Sequence, residues 1–156
     1  MSFCPRINNL NFRYCGYNHE MKIAISACLS GRKCRYNSED KFRENVMNRF
    51  SNDEIILFCP EENVFGTPRE PINIIGNKLM KNDLEITSLI EKEASEIILK
   101  NPDIVVLKSK SPSCALKTAK YYDENKNLIS ETGIGIFTKV LVNSLTDTKF
   151  YEENDL

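Results

Sequence analysis

Cys28, Cys59 and Cys114 each follow a short β-branched or apolar run, and each stands beside small, Pro- or Gly-rich loop sequence. The runs are Lys22–Ser26, Glu54–Phe58 and Ile104–Leu107. In an α/β sheet the carboxyl ends of parallel strands share one rim, so thiols leaving three strand ends converge on one point. That layout suits a metal ion or an iron–sulfur cluster. Structural zinc sites use paired ligands a few residues apart, whereas these cysteines are thirty-one and fifty-five residues apart. Each ligand would come from a separate element. Three thiolates without an obvious fourth partner also fit a cluster with one iron left open, and an open position is a place for substrate.

Other readings of the cysteines stand beside this one. Free cysteine is among the most buried residue types, so packing as small hydrophobes accounts for the same spacing equally well. Cys34, in Gly31-Arg-Lys-Cys-Arg-Tyr36, lies near enough to the first strand end to be a fourth ligand. Glu61 follows Cys59-Pro60, and Ser111 stands three positions before Cys114. A carboxylate and a hydroxyl beside the thiols are polar groups that packing does not require, and they tilt the reading toward chemistry. Cys4 and Cys15 lie ten or so residues apart in the leader and read as incidental thiols. His19 is the single histidine, so any Ser–His–Asp or Cys–His pair would have to use it, and nothing around it fixes its position.

The elements that must position these groups follow from pattern. At 156 residues, with 41% hydrophobic and 28% charged residues, the chain is sized for one globular domain with its own core. Residues 1–20, rich in Asn, Arg and Tyr, read as an extension, and residues 21–156 as the domain. Asp40 is a plausible N-cap for a helix carrying Phe42, Val46 and Phe50 on one face. Pro60 to Asn82 reads as a long loop. Asp83 to Lys100 reads as the longest helix, with Ile86, Ile90, Ala94 and Ile97 as its buried stripe. Tyr121-Tyr122 and Leu128-Ile129 flank a turn sequence and predict a hairpin. A last helix is expected from near Gly133, carrying Ile134, Phe137, Leu141 and Leu145. The alternation predicts an α/β fold: one domain with an open, mainly parallel, Rossmann-like sheet flanked by helices.

A net charge of −1 gives no general attraction to nucleic acid or an anionic membrane. No apolar stretch approaches the ~18–20 residues that span a bilayer, and the amino terminus lacks a secretory pattern. A cytoplasmic protein with no membrane or nucleic-acid partner is expected, and in a reducing compartment its six cysteines serve ligation, chemistry or burial rather than disulfides.

The motifs taken in order carry a family resemblance. Ser26-Ala-Cys-Leu-x-Gly31 with Cys34-Arg-Tyr-Asn37, Cys59-Pro-Glu61, Gly66-x-Pro-Arg-x-Pro71, Leu107-Lys-x-Lys-Ser-Pro-Ser-Cys114 and a late Gly133-x-Gly-x-Phe-Thr138 all occur. From about Lys22 to Leu145 the chain resembles the thiouracil desulfidase family. The resemblance implies removal of sulfur from 4-thiouracil or its nucleotide, giving uracil or UMP and hydrosulfide without net redox change. It implies a 4Fe–4S cluster held by Cys28, Cys59 and Cys114, with Glu61 and Ser111 as catalytic residues and a thiolated pyrimidine or nucleotide as the partner. Arg35, Tyr36, Asn37 and Arg69 are candidates to contact the base or a phosphate, and solvated loop positions describe them equally well. Gly133 and Gly135 open the expected last helix, where free N–H groups could receive a phosphate or glycine could only permit close packing. The chain departs from the family pattern at Glu62-Asn63-Val64-Phe65, Asn73 and Ala115, which touch the substrate-side loops more than the ligands. A non-enzymatic iron–sulfur or zinc protein, such as a redox sensor closed by Cys34, is the alternative.

Overall fold

The computed structural model describes residues 20–156. Cys4, Cys15, His19 and the expected extension up to Glu20 lie outside the described residues or at their edge. Four strands form a wholly parallel sheet: β1 (Lys22–Ser26), β2 (Glu54–Phe58), β6 (Ile104–Leu107) and β9 (Lys149–Glu152), in the order β2-β1-β6-β9. Alternate residues of these strands face opposite layers. Ile23, Ile25, Ile104 and Val106 pack with Val46 of helix α1 (Glu44–Arg49) on one face. Ala24, Ile56, Phe58, Val105 and Leu107 pack on the other face with helices α3 (Thr87–Lys100) and α4 (Ile136–Ser144). A sheet covered on both sides explains why β1 and β6 read as nearly unbroken apolar runs.

The segment expected as a long loop is built of short elements. Helix α2 (Pro60–Phe65) starts directly after Cys59, with Pro60 in its first turn, where a missing N–H costs nothing. Then β3 (Asn73–Ile75), β4 (Lys78–Lys81) and β5 (Leu84–Glu85) join the hairpin β7 (Ala119–Tyr122) and β8 (Leu128–Gly133) in a second sheet, ordered β5-β4-β3-β7-β8. Within it only β3 and β7 run parallel. Ile74 and Leu79 of this sheet, with Ile72 just before it, share the core of α3 and α4.

Three expected boundaries move, each for a local reason. Asp40 accepts from the Phe42 N–H at 3.0 Å, making a turn rather than a cap. Lys41 and Arg43 donate to the carbonyls of Cys28 and Leu29, both at 2.9 Å. That stretch is therefore spent holding the loop after the first cysteine. The helix starts at Glu44, and Phe42 stays half exposed. Helix α3 starts at Thr87 because Leu84–Glu85 pairs with β4. Helix α4 starts at Ile136, after Gly133 has ended β8. Strand β9, at the edge beyond β6, was not legible in the sequence.

Candidate functional site

Strands β1, β2 and β6 are neighbours, and their carboxyl ends deliver the three cysteines. After β1, residues Ala27–Ser30 make a single 3-10 turn closed by Gly31 at φ 93°, a conformation that favours glycine. Cys28 is buried in that turn. Cys59 is the residue between β2 and α2. Cys114 lies in a tight turn after β6, where the Ala115 N–H donates to the Ser111 carbonyl at 3.1 Å. All three thiols, with Cys34, line one cavity of about 180 Å³. Glu61, Ser111, Arg35, Tyr36 and Arg69 line the same cavity, as do Lys108, Lys110 and Ser26. The structure thus brings together most of the candidates read from the sequence.

The remaining candidates sit elsewhere. Asn37 is outside the cavity lining and donates to Glu39 at 2.8 Å. Gly133 and Gly135 do not line it either. A Cβ on Gly133 would fall 2.2 Å from the Tyr121 ring, and one on Gly135 only 2.4 Å from the Ser113 carbonyl oxygen. Gly135 is the place where helix α4 passes against the turn that carries Cys114. The Gly135 N–H donates to the Ala115 carbonyl at 2.7 Å, and the Thr138 hydroxyl to the Cys114 carbonyl at 2.6 Å.

The polar groups are held in a defined arrangement. Glu61 accepts from Arg69 through Nε at 3.3 Å and Nη2 at 3.1 Å, and from the Ser113 hydroxyl at 2.7 Å. Arg69 is itself buried, and its Nη1 reaches the carbonyls of Cys34 and Gly66 at 2.8 and 2.9 Å. Ser111 Oγ accepts from the N–H groups of Cys114 and Ser113, at 3.0 and 3.3 Å. Both contacts use its lone pairs and leave its hydroxyl proton free to donate. Arg35 stacks over the Tyr36 ring at 5.5 Å, a cation–π contact at the cavity mouth.

The thiols bear on one another. Burial pushes the Cys114 thiol well above its ordinary range, and the nearby Cys59 and Glu61 push in the same direction. Cys59 is raised by its hydrogen bond with Cys34 and by burial. Cys34 is pushed up to about 11, first by its hydrogen bond with Cys28. Buried thiols in each other's field ionise together only when a cation neutralises them. A donor set of this kind therefore fits a thiophilic metal centre.

Comparison with known proteins decides the kinship. A family model described as 2-thiouracil desulfurase matches residues 23–153. The chain belongs to that family. Among curated proteins, it is 30% identical over 108 residues to the uncharacterized protein YbbK of Bacillus subtilis (strain 168), covering 59% of this chain and 72% of that one. Among solved structures, it is similar to the [4Fe-4S]-dependent thiouracil desulfidase TudS at 24% identity, with a TM-score of 0.69 over 88% of this chain and 93% of that one. The fold is the one seen in TudS.

Sequence reasoning passed over several residues that build this cavity and its walls. Ser113 was visible in Ser-Pro-Ser-Cys, but its contact with Glu61 spans 52 positions. Glu152 accepts from the N–H groups of Leu116 and Lys117, both at 3.0 Å. Glu153 accepts from the Ser109 N–H at 2.7 Å and from Lys108 at 2.5 Å. Both carboxylates are buried and brace the segment that carries Ser111 and Cys114. Only two buried acids in an otherwise exposed-looking tail would have signalled them, and burial is not visible in the sequence.

Proposed function

We propose that the protein desulfurates a thiolated uracil, 4-thiouracil or 4-thio-UMP, at a 4Fe–4S cluster held by Cys28, Cys59 and Cys114. The observation that carries this reading is the arrival of those three thiols at one cavity from adjacent strand ends, with Glu61 and Ser111 in its wall. When bound, such a cluster with one iron free of protein ligands supplies a soft Lewis acid suited to a thiocarbonyl sulfur.

The chain's own residues account for the rest of the reaction. The overall change exchanges C=S for C=O: one water enters at the ring carbon and hydrosulfide leaves, with no electrons gained or lost. Glu61 takes the proton from the attacking water. Arg69 and Ser113 fix that carboxylate in one orientation, so little order has to be created at the moment of attack. Ser111 directs its hydroxyl proton at the ring as a hydrogen-bond donor, its own lone pairs being occupied by backbone N–H groups. General acid–base help of this kind is worth roughly 10²–10⁴ in rate. Tyr36 and Arg35 stand at the mouth, where a pyrimidine ring can stack.

Two variants separate the centre from the chemistry. In anaerobically reconstituted protein, Cys59→Ala is expected to lose the cluster's visible absorption, and Glu61→Gln to keep that absorption while turnover falls by about 10²-fold or more. A fully active Glu61→Gln variant sinks the assignment of the base. The second reading, a closed non-enzymatic centre, draws on the presence of Cys34 in the same cavity. It predicts an intact cluster and no hydrosulfide.

A further inference from the structure

Cys34 is a buried thiol for which the desulfuration reading has no use. Only 1% of it is exposed. Its Sγ, the Sγ of Cys59 and a carboxylate oxygen of Glu62 all lie within 4.8 Å of one another. Cys114 is not part of this group. The three donors come from three elements: the loop after β1, the end of β2 and the first turn of α2. The Cys34 loop is pinned in place, since its carbonyl accepts from Arg69 Nη1 at 2.8 Å, Thr67 Oγ1 at 3.4 Å and Cys59 Sγ at 3.7 Å.

Glu62 carries the second observation. Its Oε1 accepts from the Thr67 hydroxyl at 3.3 Å, while its Oε2 is buried without a hydrogen-bond partner. Arg32 places a guanidinium nitrogen 2.8 Å from Oε2, an ion pair in a geometry that makes no hydrogen bond. Arg32 thus already supplies a positive charge to that carboxylate. The Arg32 side chain is 50% exposed and free to withdraw into water.

We propose that Cys34, Cys59 and Glu62 form a mononuclear site for a thiophilic divalent cation of the zinc class, with water as the fourth ligand, competing with the three-cysteine centre for Cys59. Zinc–sulfur bonds of about 2.3 Å and zinc–oxygen bonds of about 2.0–2.2 Å set tetrahedral donors about 3.5–3.8 Å apart, so a contraction of no more than about 1.3 Å closes the site. Binding releases the two thiol protons to solvent, and no electrons move. The cation site itself forms in protein that has never held a cluster, and only the competition for Cys59 rests on the three-cysteine centre of the desulfuration reading.

The test uses full-length, metal-free protein titrated anaerobically with Co²⁺, read by the thiolate-to-cobalt charge-transfer band. Wild type is expected to bind one equivalent. Cys114→Ser should bind within about threefold of wild type, and Cys34→Ser should lose about 100-fold in affinity, with Glu62→Gln between them. Loss in Cys114→Ser with retention in Cys34→Ser overturns the site. Should Cys34→Ser fail to fold, zinc X-ray absorption on wild type decides: about two sulfurs and two lighter donors support the assignment, and a three-sulfur shell contradicts it. Zinc-loaded wild type should also take up no cluster until the zinc is removed. Cluster uptake with zinc retained overturns the competition.

Discussion

At the scale of single residues, the site depends on how Glu61 is held. A lone carboxylate beside a thiol could point anywhere, but Arg69 and Ser113 contact it from two sides. Arg69 also ties the Cys34 carbonyl and the Gly66 carbonyl to that same carboxylate. It therefore holds Glu61 in place, while it also lines the cavity where the sequence offered it as a substrate contact. Ser113→Ala removes a hydrogen bond to a charged group, an interaction worth about 1.5–3 kcal/mol. Its turnover number is expected to fall by roughly 10- to 100-fold with cluster absorption and KM little changed. An unchanged turnover number would remove Ser113 from the account. Cys28, Cys59 and Glu61 were legible because they lie within three residues of a strand run, and Cys114 because its Ser-Pro-Ser-Cys turn follows soon after one. Ser113 was not, because a contact across 52 positions leaves no local signal.

At the scale of elements, the segment between β6 and β7 carries Ser111 and Cys114 and is braced from two directions. Helix α4 presses on it at Gly135, where an added Cβ would meet backbone rather than a yielding side chain. Gly135→Ala forces the turn to shift, and overpacking of this kind costs about 1–3 kcal/mol. Lowered thermal stability together with poor cluster retention is the expected result. A variant that melts and loads like wild type argues that the turn moves freely. From the other side, β9 and the turn after it bring in Glu153. Burial alone would raise the carboxyl's pKa, but hydrogen bonds from Lys108 and Ser109 bring it below the ordinary 4.5. A depressed folded-state pKa contributes stability that is present above the unfolded value and lost as pH falls through the folded one. Glu153→Gln should therefore cost about 1–3 kcal/mol at neutral pH, and the gap to wild type should narrow below about pH 4.5. Urea midpoints at several pH values read this directly, and a gap constant with pH would contradict it. Strand β9 escaped the sequence reading because four residues with charges at both ends, Lys149–Glu152, match no strong period. Helix α2 escaped because Pro60 reads as a loop residue unless the helix start is already known.

At the scale of the whole molecule, the two sheets are joined by one core. Ala24, Ile56 and Phe58 of the parallel sheet and Ile74 and Leu79 of the mixed sheet pack against the same two helices. Phe58 stacks on Phe137 at 5.3 Å, one residue before Cys59, so the core reaches the edge of the site. Strands β1, β2 and β6 of the parallel sheet were legible because they are short, mostly apolar runs. Of the second sheet only the β7–β8 hairpin was legible, since β3, β4 and β5 are two to four residues long and carry exposed polar or charged residues. Among the described residues, no helix is long and apolar enough to cross a membrane. The central claim, that thiols from three strand ends serve a desulfurating centre, is tested most directly by products. Anaerobically reconstituted wild-type protein is supplied with 4-thiouracil and 4-thio-UMP, and hydrosulfide is measured against uracil or UMP. Equal amounts of the two products, abolished by Cys114→Ala, are predicted. A fully loaded cluster that releases neither product would contradict the account.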